Sequence, residues 1–75
     1  MKPDYVYVAL KTSGTHSLQV EVYDSEQRAI HGSGRQLISL YGSKYKVEEG
    51  LGCLVVKSTN PEADYIYEIL KRKVQ

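Results

Sequence analysis

Covalent or acid–base chemistry in this chain would fall to His16, His31 and Cys53, its only imidazoles and its only thiol. A nucleophile needs a base within hydrogen-bond reach, and the base needs a group to orient it. His16 stands between Thr15 and Ser17 with no carboxylate close in sequence. Cys53 begins the apolar run Cys53-Leu54-Val55-Val56, where a buried thiol is inert. One Cys and two His provide no zinc-ligand spacing. The residues therefore point to a chain that is not an enzyme and needs no metal or cofactor.

Binding chemistry has better candidates. In His31-Gly32-Ser33-Gly34-Arg35, glycines let backbone N–H groups converge, Ser33 can donate, and Arg35 can pair with phosphate or carboxylate. No Gly-Lys-Ser/Thr closes the stretch, so it is not a P-loop. Its plainer reading, a Gly-rich bend between strands, is preferred. Seven tyrosines, with neither Phe nor Trp, are hard to hide in a small core. Tyr5 and Tyr7 share a strand face by period-2 geometry, and Tyr23 joins them if its strand pairs in register. Such a strip would stack bases, with Arg28 nearby for phosphate, or would form an interface between proteins. The interface reading is the stronger, because net charge is only +1.

The elements that must position these residues follow from pattern. Asp4–Lys11 alternates β-branched and aromatic residues and is expected to be a strand, followed by a loop over Thr12–Ser17. Leu18–Asp24 alternates cleanly, with Leu18, Val20 and Val22 on one face. Asp24–Gln27 reads as a turn and Arg28–His31 as the returning strand of a hairpin. Residues 35–41 are ambiguous. A helix there would use Gly42 as its stop, but Gly34 argues slightly for a strand. Lys44–Glu48 and Leu51–Ser58 form a second hairpin around Glu49-Gly50. Asn60 as N-cap, Pro61 at N1, early acids, late bases and an apolar arc Ala63, Ile66, Ile69, Leu70 and Val74 predict a helix over 60–74. Tyr65 lies at the edge of that arc and would reach toward a partner. Should the chain dimerise, Tyr65 or Tyr67 is expected near the seam.

The fold class expected is α+β, a single domain over 1–75. It would be an antiparallel β-meander of about four to six strands packed by one C-terminal helix. A small curled, barrel-like sheet is the alternative. One helix covers one face of a small sheet, yet Asp4–Lys11 and Leu51–Ser58 carry apolar groups on both faces. An open sheet therefore needs a second cover, such as another copy of the chain or a partner protein.

Length and composition set the outer limits. A 75-residue chain buries only about three-fifths of its unfolded surface, and one Cys cannot form an internal disulfide, so self-association gains weight. No apolar run nears the roughly 20 residues that span a bilayer. Without a signal-peptide apolar region, and with a lone thiol, a cytoplasmic location is expected. The functional expectation is a small protein-binding module, a regulator or inhibitor that occupies a partner's surface and also self-associates. That build is common among small accessory and phage-encoded factors. The alternative is a nucleotide or single-stranded nucleic-acid binder using the surface tyrosines and arginines.

Overall fold

The computed structural model describes residues 4–14 and 16–74, with backbone alone at 16–18. Two antiparallel strands come first, β1 (Tyr5–Ser13) and β2 (His16–Tyr23). Helix α1 (Glu26–Tyr41) follows, then β3 (Tyr45–Gly50), β4 (Cys53–Ser58) and β5 (Ile66–Lys73). The strands form one sheet in the order β2-β1-β5-β4-β3, antiparallel at every junction. The expected α+β class holds: an antiparallel sheet with one helix on it. The sheet is open, with β2 and β3 as its edges, so the barrel-like alternative does not apply.

The helix lies elsewhere than the 60–74 expected. Ser25 caps its start, with Oγ accepting from the Arg28 N–H at 3.2 Å. Gly42 ends it with φ +69°, and its N–H donates to the Ile38 carbonyl at 2.7 Å. The stop at Gly42 was legible; the strand expected at 28–31 and the ambiguous stretch 35–41 are instead one helix. Its buried stripe is Ala29, Ser33, Gly34 and Leu37, mostly small residues that let the helix sit close to the sheet. A glycine costs about 1 kcal/mol in a helix interior relative to Ala, so Gly32 and Gly34 read as breakers. Close packing outweighs that cost here. A Cβ on Gly32 would collide with the Tyr23 ring, and one on Gly34 with the Tyr45 ring.

Residues 66–73 form a strand because they are apolar on both sides. Tyr67 and Ile69 turn toward the helix, and Ile66 and Leu70 the other way, so a period of two fits as well as 3.6. β-branched and aromatic residues then favour the strand, and β1 supplies eight paired positions, from Tyr5↔Lys73 to Thr12↔Ile66. The capping chemistry of Asn60 is spent on a turn. Its Oδ1 accepts from the Glu62 N–H at 2.9 Å and its carbonyl from the Ala63 N–H at 3.1 Å.

The other strands fall near their expected places. The loop expected over Thr12–Ser17 is tighter, since β1 runs to Ser13 and β2 starts at His16; Thr15 lies outside the described residues. The second hairpin turns at Leu51-Gly52, beyond the Gly50↔Cys53 pair, with Gly52 at φ +72°. Ala9, Ala29, Leu37, Val56, Tyr67 and Ile69 form the core between sheet and helix. No helix is long and apolar enough to cross a membrane among the described residues.

Candidate functional site

The expected tyrosine strip forms in register: Tyr5 and Tyr7 share a face, and Tyr7 lies opposite Tyr23. It lies on the helix side of the sheet. Tyr7 and Tyr23 pack half-buried against the core, and the Lys71 ammonium sits 4.1 Å above the Tyr5 ring. Tyr65 is half-buried, its ring 6.5 Å from that of Tyr41 and under the Lys11 ammonium at 4.7 Å. The Tyr41 hydroxyl accepts from the Asp64 and Tyr65 N–H groups, both at 3.0 Å, and so ties the 60–65 turn to the helix. Tyr67 is fully buried in the core.

The His31–Arg35 stretch is helix rather than loop, so its N–H groups are spent on helical bonds and do not converge on an anion. Ser33 is fully buried and its Oγ has no partner among the described residues. His31 and Arg35 point to solvent with Arg28, at i, i+3 and i+7 along the outer face of the helix. Arg28 pairs with Asp24 at 3.2 Å, an exposed contact of small energetic weight.

Sequence reasoning missed a part-buried polar chain that links β2, α1 and β5. Oε1 of Glu21 accepts from Gln19 Nε2 at 2.6 Å and from Gln36 Nε2 at 2.7 Å, and its Oε2 accepts from the Tyr23 hydroxyl. Gln36 Oε1 in turn accepts from the Tyr67 hydroxyl. The bond from Tyr23, then those from Gln36 and Gln19, hold the Glu21 carboxyl below its usual range. Burial, together with the bond to Glu21 and its charge, pushes the Tyr23 phenol up to about 12. Burial, with the Glu21 charge, also raises Tyr67. Bonded through Gln36, the three elements are tied together, so the chain of bonds works as a clamp. Cys53 lies on the sheet face away from the helix and His31 on the solvent side of the helix, so the sheet separates them. His16 is described by backbone alone. No metal-binding cluster and no cavity occur among the described residues.

The helix covers the face that carries Tyr7, Ala9, Tyr67, Ile69, Leu54 and Val56. The opposite face is bare, and it is apolar at its centre. Val8 sits at its centre, level with Val22 of β2 and Leu70 of β5. One row over, Leu10 is level with Val20 and Glu68. Val20 and Val22 are 60% and 62% exposed, unusual values for valines within a strand. The face ends in charge at the β3–β4 corner. There Glu48 accepts from Lys57 at 3.1 Å and Lys46 at 3.4 Å, which lowers its pKa. Four strand spacings of about 4.8 Å, by strands of six to nine residues at about 3.3 Å each, give a face of roughly 500 Å² in projection. Exposed apolar clusters within a face of that size mark interaction surfaces. Comparison with family models, with curated proteins and with solved structures found no match to this chain.

Proposed function

We propose that this chain is a non-enzymatic protein-binding module that self-associates through the sheet face opposite its helix. It acts as a regulator or inhibitor by occupying a partner protein's surface. The observation that carries the reading is the bare apolar face centred on Val8, with Val20 and Val22 more than half exposed on an edge strand. A free chain with that face in water gains by covering it, at about 25 cal/mol per Å² before the costs of association. Self-association leaves the helix outward, with Arg28, His31 and Arg35 accessible to a further partner. The nucleic-acid alternative draws less support, because Tyr7 and Tyr23 lean on the core rather than present free rings.

Light scattering at micromolar concentration tests the reading. The wild-type chain is expected above monomer mass and Val22→Glu at monomer mass, with the far-UV circular dichroism of both alike. A strictly monomeric wild type that retains no partner protein in affinity capture refutes it.

A further inference from the structure

The bare face carries two charges that the chain leaves without ion-pair partners among the described residues. Glu68 and Arg72 stand on β5, two residues to either side of Leu70, and all three point away from the helix. Arg72 reaches only the Lys71 carbonyl, at 3.1 Å, and Glu68 makes no salt bridge among the described residues. The contrast with Glu48, which holds two lysines on the same face, is sharp. At one corner of the face the charges are in contact with opposite charges, and near its centre they are not.

From this pattern we infer that the occupant of the face is a second copy of the chain, packed sheet to sheet. Its twofold axis runs across the strands over the row Leu70–Val8–Val22. The inference rests on the self-association proposed above and specifies its geometry. A twofold across the strands reverses their direction and sets each residue of the axial row against itself. Residues two places away on one side then meet those two places away on the other. Glu68 thus faces Arg72 of the other copy, twice over, and Leu10 faces Val6 of the other copy.

The alternatives fail on charge. An axis one row over, through Glu68, Leu10 and Val20, sets Glu68 against Glu68. An axis along the strands sets each β5 charge against itself when it lies over β5, and Glu68 against Val20 when it lies over β1. Like charges face to face are strongly disfavoured, and so is a lone charge buried among valines. The available area also suits a second copy. A standard interface takes about 800 Å² of accessible surface from each partner, and a pleated face of roughly 500 Å² in projection approaches that.

The arrangement places a native reporter at the seam. Continuing the Leu54↔Ile69 pairing by one residue puts Cys53 level with Leu70, on the axial row. Cys53 of each copy then faces Cys53 of the other. Packed sheets stand about 10 Å apart, too far for a disulfide, whose Cα atoms lie about 4.4–6.8 Å apart. A short bismaleimide spans the gap.

The test uses the full chain. Analytical ultracentrifugation is expected to show Glu68→Arg and Arg72→Glu each weakening the dimer about tenfold or more. The double variant E68R/R72E is expected to restore affinity to within about threefold of wild type, since the swapped charges again meet opposites. Far-UV circular dichroism like that of the wild type shows that each single variant is folded. The short bismaleimide is expected to give a covalent dimer with the native chain, and none with Cys53→Ser or Val22→Glu. A wild-type dimer that tolerates both charge reversals, or whose Cys53 does not cross-link, overturns this geometry while self-association stands. A monomeric wild type overturns both.

Discussion

Replacing Gly34 by alanine should destabilise the fold even though alanine is the better helix former. Gly34 sits inside α1, fully covered by the sheet, and a Cβ there would lie within 3.0 Å of three atoms of the Tyr45 ring. Intrinsic propensity favours Ala over Gly by about 1 kcal/mol in a helix interior. Against that, the Tyr45 ring must leave its place beside the core, and overpacking of this kind costs about 1–3 kcal/mol. The balance is a loss of about 1 kcal/mol for Gly34→Ala. The same substitution in a Tyr45→Ala background meets no ring, and there it should stabilise by about 1 kcal/mol. The two single changes are thus coupled by about 2 kcal/mol, well beyond the 0.3–0.5 kcal/mol scatter of independent sites. Urea unfolding at one fixed protein concentration measures all four corners of the cycle. Gly34→Ala stabilising the wild type, or a coupling within that scatter, would refute the ring-on-glycine account.

Three further outcomes follow from the polar contacts. The depressed Glu21 pKa supplies stability that is present above its unfolded value, near 4.5, and is lost as pH falls through the folded one. Glu21→Gln should therefore flatten the acid side of the stability–pH curve, and an unchanged acid limb would count against the clamp. Tyr23 has the opposite sign. Its folded pKa is raised to about 12 from 10.0, so its contribution is present below pH 10 and fades as pH climbs toward 12. Tyrosinate absorbance should show a late-ionising phenol that Tyr23→Phe removes. Tyr41→Phe takes away the acceptor shared by the Asp64 and Tyr65 N–H groups, and should cost about 1 kcal/mol. Faster amide exchange at those two residues would localise the loss.

What could be read from the sequence was the sheet, far more than the helix. Strand runs near 4–11, 18–24, 44–48 and 51–58 announced themselves through alternation and β-branched residues, and so did the apolar character of both sheet faces. The helix was hidden because its buried stripe is small: Ala29, Ser33 and Gly34 give no hydrophobic period. Its glycines make sense only beside Tyr23 and Tyr45, which are distant in sequence. Residues 60–74 misled for the converse reason. Their capping residues serve a turn, and a strand apolar on both faces satisfies a helical spacing by accident. The pairing of Tyr5, Tyr7 and Tyr23 could be anticipated. Which side of the sheet the helix would take could not, because nothing local to those strands encodes it. The Glu21–Gln36–Tyr67 chain was equally invisible, being assembled from three elements.

The position of β5 has a consequence for the order of synthesis. It is the last of the five strands to leave the ribosome, yet it occupies the middle of the sheet, between β1 and β4. Until residues 66–73 emerge, the hairpins β1–β2 and β3–β4 share no backbone hydrogen bonds, and β1 must hold one edge open for a partner made some 60 positions later. Every nascent chain therefore passes through an interval in which β1 and β4 each expose an unpaired flank. Each waiting flank is a template onto which a stray strand can zip. The interval, rather than the finished molecule, is where this sequence is most vulnerable, and a chaperone or fast translation of the closing segment would shorten it.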